Sequence, residues 1–181
     1  LSIMPKKVLL DSKKIDIILN RLVCQLVENH KDFDNTVLIA LQPRGVFLLD
    51  KILEIFNNEY PKINIKSGIL DFTFFRDDFR RSEKTLSANS TQINFSIENK
   101  NVVLIDDVLF TGRSIKAAMS SIDSYGRPSS IELLILIDRR YKRELPIEAN
   151  YCGAKIDTFK GDRVNVAWGK NSKYNVIYIE N

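Results

Sequence analysis

The run Asn101-Val102-Val103-Leu104-Ile105-Asp106-Asp107 and its continuation, Val108-Leu109-Phe110-Thr111-Gly112-Arg113-Ser114, restrict the fold more than any other part of the chain. Val102 to Ile105 offer no polar face, so they suit a strand covered on both sides, as in a parallel sheet flanked by helices. That strand ends on two adjacent carboxylates, and in open α/β sheets ligands bind beyond the carboxyl ends of the strands. Like charges side by side after a buried strand repel each other and need water, a partner or a ligand. Thr111 to Ser114 then open a helix, where hydroxyls and unsatisfied backbone N–H groups make a cradle for an anion. Carboxylates for sugar hydroxyls beside an anion pocket describe a sugar-phosphate site.

The rest of the chain alternates helix and strand patterns without an internal repeat. Asp11 and Ser12 are cap-type residues before an amphipathic helix carrying Ile15, Ile18, Leu19, Leu22, Val23 and Leu26. Thr36 to Leu41 reads as a short strand, and Val46 to Phe56 as a helix opened by Gly45. Ile63 to Phe75 reads as a longer β segment, and Ser114 to Tyr125 as a helix ended near Gly126 and Pro128. Ile131 to Ile137 is a buried strand, and Val164–Trp168 and Val176–Ile179 alternate as late strands do. The implied class is α/β, a mostly parallel twisted sheet flanked by helices, in one domain over 1–181 with 1–7 flexible.

Composition narrows the setting. No apolar run approaches the roughly 20 residues that span a bilayer, and the first residues lack the apolar core of a signal peptide. Cys24 and Cys152 show no metal-type spacing and read as reduced thiols, so a cytoplasmic location is expected. Cys24 and His30 are six apart on one helix and face different ways, so they form no pair. A net charge of +4 favours anionic ligands slightly without implying nucleic acid.

Two loops add to the acidic strand end. In Gln42-Pro43-Arg44-Gly45, Pro43 stiffens the turn, Gly45 permits close backbone approach, and Arg44 supplies a cationic fork for phosphate. The interval from Asp77 to Ile97 has weak periodicity and a polar middle, and loops of that length in compact domains are usually functional or disordered.

Residues 106–114 resemble the 5-phosphoribosyl-1-pyrophosphate (PRPP) signature of type I phosphoribosyltransferases. Their wording is most similar to the PyrR family of pyrimidine-operon regulators and uracil phosphoribosyltransferases. Leu70 to Asp78, Gly126 to Ile131 and Arg143 to Ile147 resemble further family segments in the same order, and the likeness runs from about Val8 to the C-terminus. The resemblance implies the type I phosphoribosyltransferase fold with a small hood and a mobile lid loop at 79–95, and Arg76, Asp77, Arg80 and Arg81 are the lid residues in or just before it. It implies conversion of uracil and Mg-PRPP to UMP and pyrophosphate, with Mg²⁺ reaching the protein through substrate and no direct protein ligand. Asp106, Asp107 and Arg44 are then the catalytic residues. PRPP is bound by Pro43, Arg44, Gly45, Asp106 and Asp107, continuing through Val108, Leu109, Phe110, Thr111, Gly112, Arg113 and Ser114. Arg139, Lys155 and Ile156 are the base or hood candidates, the last two within Tyr151–Phe159. Where the 6-oxopurine branch carries an aspartate serving purine N7, this chain has Phe110, which favours a pyrimidine. The resemblance also implies a homodimer or higher homo-oligomer.

Departures from the family bear on RNA. Members that bind messenger RNA read Asp-Arg-Gly-His-Arg-Glu-Leu-Pro, whereas this chain reads Asp138-Arg139-Arg140-Tyr141-Lys142-Arg143-Glu144-Leu145-Pro146. The first helix keeps Arg21 but has Cys24 and Asn29 where basic or histidine residues are common. Arg139, Arg140, Lys142 and Arg143 still form a basic cluster, so RNA stays a candidate partner while specific attenuation is in question. The alternatives are a nucleotide-sensing RNA-binding regulator and a phosphoribosyltransferase for another base.

Overall fold

The computed structural model describes residues 7–76, 90–158, 161–169 and 175–180. The expected lid residues Asp77, Arg80 and Arg81 lie outside them, as does most of 79–95. Eleven elements of regular structure are β1 (Lys7–Leu10), α1 (Ser12–His30), β2 (Thr36–Leu41), α2 (Gly45–Glu59), β3 (Lys66–Leu70), β4 (Asn101–Leu109), α3 (Arg113–Ile122), β5 (Ser130–Arg139), β6 (Tyr151–Ile156), β7 (Arg163–Ala167) and β8 (Val176–Glu180). Five strands form a parallel sheet in the order β3-β2-β4-β5-β6, and β1, β8 and β7 form a small antiparallel sheet. None of the described helices is long and apolar enough to cross a membrane.

The apolar run in β4 is central because both of its faces are needed. Val103 and Ile105 pack with Leu19, Leu22 and Leu26 of α1, Leu48, Ile52 and Phe56 of α2, and Ile177 of the small sheet. Val102 and Leu104 pack on the opposite face with Ile115, Ala118 and Ile122 of α3. Successive side chains of a strand point to opposite faces, so a strand between two cores must be apolar throughout. Asp11 caps α1 as its residue type suggests, its carboxylate accepting from the Lys14 N–H at 2.9 Å.

Three elements differ from the sequence expectation. The β segment expected over Ile63–Phe75 is strand only from Lys66 to Leu70. Asp71 stops it, because its carboxylate accepts from the Thr73 N–H at 2.7 Å and the Thr73 hydroxyl at 2.5 Å, turning the chain into a 3-10 turn over Thr73–Phe75. Tyr151–Ile156, expected in the hood, is instead the edge strand of the main sheet, paired in parallel with β5. It fits closely there because Gly153 lies against the Leu136 carbonyl, where a Cβ would sit 2.4 Å from the oxygen. The hood position falls to the small sheet, whose first strand includes Lys7, paired with Ile179.

At the amino-terminal end of the main sheet a part-buried polar network joins four elements. The Tyr151 hydroxyl donates to Glu132 Oε2 at 2.7 Å and accepts from Asn29 Nδ2 at 2.9 Å. His30 Nε2 lies 3.1 Å from Glu132 Oε2, and His30 Nδ1 lies 3.0 Å from the Thr36 hydroxyl. The single histidine therefore pins the end of α1 to β2 and β5, and its partner is not Cys24. Buried polar groups left without partners cost stability, so Tyr151→Phe should lower the unfolding free energy by about 1–2 kcal/mol, measured by denaturant titration.

Candidate active site

The site lies where the parallel strands end. A cavity of about 250 Å³ is lined by Arg76, Asp106 and the stretch from Val108 to Ile115. A second, of about 310 Å³, is lined by Gln42, Pro43, Arg44, Phe72, Arg76, Asp106, Asp107, Val108, Ser114, Arg139 and Val164. They share Arg76, Asp106, Val108 and Ser114, so the two hollows form one cleft over the ends of β2, β4 and β5. Phe72 and Val164 of its lining carry no chemical signature in the sequence. They are recruited by the turn after β3 and by the small sheet.

Both carboxylates are placed by β4. Asp107 is 3% exposed and Asp106 opens partly to the cleft, its Oδ1 accepting from the Asp107 N–H at 2.9 Å. Burial pushes the Asp106 carboxyl up to about 8, helped by the negative charge of Asp107. Burial raises Asp107 as well, and the Arg44 guanidinium opposes the rise. Arg44 Nη1 stands 3.9 Å from Asp107 Oδ2, too far for a hydrogen bond, and Asp107 Oδ2 is buried with no hydrogen-bond partner among the described residues. Among the described residues the pair thus keeps acceptor capacity that hydroxyl donors or a cation can fill.

The loop after β4 has a backbone that can receive an anion. Gly112 adopts φ 91 and precedes α3, whose first backbone bond runs from the Lys116 N–H to the Gly112 carbonyl. The N–H groups before Lys116 consequently lack helical acceptors, and the positive end of the helix dipole adds to their pull on an anion. Arg113 Nε donates to Glu144 at 2.6 Å, so its guanidinium is engaged outside the loop while its backbone stays in the helix start. On the other side of the cleft Gly45 is required by packing. A Cβ there would sit 2.2 Å from the Ile105 carbonyl, so the close approach it allows is to β4. Arg44 is 57% exposed, a cation at the rim rather than a fixed fork, and the Gln42–Pro43 peptide beside it is cis.

Arg139 is brought to the same cleft from the end of β5. It is 6% exposed, its Nε and Nη2 donate to the Thr158 hydroxyl at 3.2 Å, and Nη2 also donates to the Asp162 carbonyl at 2.9 Å. Its guanidinium carbon lies 3.9 Å from the centre of the Phe110 ring, which places Phe110 under Arg139 rather than in the core. Lys155 and Ile156 of β6 pair with Asp138 and Arg139 of β5, and the Lys155 ammonium turns towards Glu148 at 3.9 Å. Neither lines the cleft. Thr158, which fixes Arg139, has no sequence signal beyond its proximity to those two.

The chain matches the phosphoribosyl transferase domain family over residues 6–169. The bifunctional protein PyrR of Desulfosudis oleivorans is 40% identical over 161 residues, covering 87% of this chain and 86% of that protein. The bifunctional protein PyrR of Caldicellulosiruptor bescii is 38% identical over 174 residues, covering 96% and 94%. The chain belongs to the PyrR family. Among solved structures it superposes on a hypoxanthine-guanine-xanthine phosphoribosyltransferase with a TM-score of 0.68 at 17% identity, covering 97% of this chain and 94% of that one. A hypoxanthine phosphoribosyltransferase from Staphylococcus aureus gives 0.65 at 23% identity, covering 86% and 80%. At these identities the likeness shows the fold alone, while the PyrR relatives make this α/β chain a phosphoribosyltransferase.

The raised Asp106 carboxyl has a measurable consequence in the ligand-free protein. Between its ordinary value of 3.8 and about 8, the folded state holds a proton that the unfolded state has released, so folding stability falls as pH rises. Asn at this position has no such dependence. Asp106→Asn should therefore raise the thermal midpoint over wild type progressively from about pH 4 to about pH 8, followed by calorimetry.

Proposed function

We propose that this PyrR-family chain transfers the phosphoribosyl group of Mg-PRPP to uracil, giving UMP and pyrophosphate. The observation that carries the choice of base is Arg139. A guanidinium donates and never accepts, and among the described residues Nη1 of Arg139 donates to nothing else. Uracil presents two carbonyl acceptors to such a donor, whereas Phe110 beneath it provides no acceptor for a purine imidazole.

In this reading the cleft acts by placement and charge. Asp106 and Asp107 accept hydrogen bonds from the ribose hydroxyls, and the start of α3 receives the 5-phosphate. Arg44 faces the departing pyrophosphate from the rim, and Arg76 flanks both hollows. The fit of a magnesium–diol group rests on the hard oxygen donors of the pair and on Asp107 Oδ2, which has no hydrogen-bond partner among the described residues. Bound with PRPP, Mg²⁺ neutralises pyrophosphate charge. No side chain needs to act as a nucleophile, since orientation and electrostatic stabilisation suffice. The homo-oligomer implied by the family remains part of this proposal.

The regulator reading draws on the basic segment after β5, with Tyr141 78% exposed at its tip. Most of the cations there are engaged within the protein. Arg139 is buried, Arg140 makes a two-pronged pair with Asp157 at 2.7 and 3.0 Å, and Arg143 pairs with Asp138. Arg21 of α1 likewise donates to the Cys152 and Gly153 carbonyls. Guanidiniums engaged in this way are poorly placed for phosphate contacts, which supports the enzyme over the regulator.

Uracil, hypoxanthine, guanine and orotate assayed with PRPP and Mg²⁺ should yield product with uracil alone. Turnover of a purine in preference to uracil would remove the base assignment. Asp107→Asn should lower turnover by about a hundredfold or more, with an unchanged circular dichroism spectrum. A variant within about twofold of wild type would leave the carboxylate pair without its role.

A further inference from the structure

The outer side of the phosphate loop is gripped by residues that do not line the cleft. The Arg143 guanidinium donates to the Phe110 carbonyl and pairs at its other end with Asp138, a buried residue near the end of β5. The N–H groups of Glu144 and Leu145 donate to the Thr111 carbonyl at 3.0 and 3.3 Å. The Glu144 carboxylate holds Arg113 Nε at 2.6 Å. Leu145 and Ile147 close over Gly112, where an added Cβ would meet Ile147 Cδ1 at 3.2 Å and Leu145 Cβ at 3.5 Å. Neither cavity of the cleft is lined by any residue from Arg143 to Ile147.

A planar trans peptide points its C=O and the following N–H in opposite directions. Tying the Phe110 and Thr111 carbonyls outward therefore turns the Thr111 and Gly112 N–H groups away from the brace, towards the cleft. A loop containing a glycine with φ 91 has other backbone conformations available, and in many of them these donors diverge. Donors aimed in advance bind an anion without an ordering penalty.

We infer that Arg143 is a positioning residue that presets the phosphate-binding backbone by holding the Phe110 carbonyl against the end of β5. Arg143 touches no substrate in this arrangement and acts through the peptide planes of the loop. The inference rests on the assignment of residues 110–114 to the 5-phosphate. A guanidinium is suited to the task because its fork reaches a carbonyl and a carboxylate at once, whereas an ammonium serves as a point charge.

The test separates placement of the loop from general destabilisation. Arg143→Met should raise the KM for PRPP by about tenfold or more while the KM for the base moves less than about twofold. Arg143→Lys, which keeps one cationic donor and is the milder change should Met prevent folding, should recover part of that loss. Ribose 5-phosphate, titrated calorimetrically without any base, should show the same order of affinity: wild type, then Lys, then Met. A folded variant that binds ribose 5-phosphate as wild type does would overturn the positioning role. So would a parallel rise in both KM values. Failure of the wild-type protein itself to bind ribose 5-phosphate would instead remove the 5-phosphate assignment, and this inference with it.

Discussion

Two carboxylates stand at the end of a strand buried on both faces, and the arrangement of the cleft follows from the burden of keeping them there. β4 is held between α1 and α2 on one side and α3 on the other, so Asp106 and Asp107 emerge where water is scarce. Removing charge from water raises both carboxyls, and Arg44 at 3.9 Å offsets this only in part. Such a site is unfavourable in the resting protein and becomes favourable when a ligand brings hydroxyl donors and a cation. The stability that tolerates it comes from the two apolar cores, whose strands and helices converge on the same sheet.

The loops around that strand end are tied to one another as well as to the sheet. Adjacent residues of β5 serve opposite sides of the cleft. Arg139 covers the Phe110 ring, and Asp138 anchors the arginine that holds the Phe110 carbonyl. The two sides of the cleft are therefore set by a single strand terminus. Ser90 and Gln92 are tied down too, since Gln42 Nε2 donates to the Ser90 carbonyl at 3.0 Å and Gln92 pairs with Ile69. A transferase that works by orientation gains from such bracing, because small displacements of reacting groups are costly in rate.

The same bracing bears on RNA. Chain positions that count as a basic cluster by composition are, in space, mostly members of ion pairs and carbonyl contacts internal to the domain. Cations with an internal partner lose much of their attraction for a polyanion, so a count of Lys and Arg overstates the electropositive surface.

Local pattern made α1, β2, α2, β4 and β5 legible, together with the acidic pair and the anion-binding helix start, because each depends on periodicity or on residues adjacent in the chain. Asp11 as a cap and Gly112 at the head of α3 belong to the same class. β1 was not legible: its four residues form a strand only because β8 lies beside them. β6 read as hood by family resemblance, and only its parallel pairing with β5, with Gly153 seated against Leu136, places it in the main sheet. The raised Asp106 carboxyl, the stacking of Arg139 on Phe110 and the grip of Arg143 and Glu144 on a loop some thirty residues earlier likewise came from tertiary structure. Sequence by itself determined which chemistry the chain carries and at which strand end it sits, since those follow from residue type and period. Burial, charge coupling and backbone orientation are set by groups distant in the chain, and only the folded packing decides them.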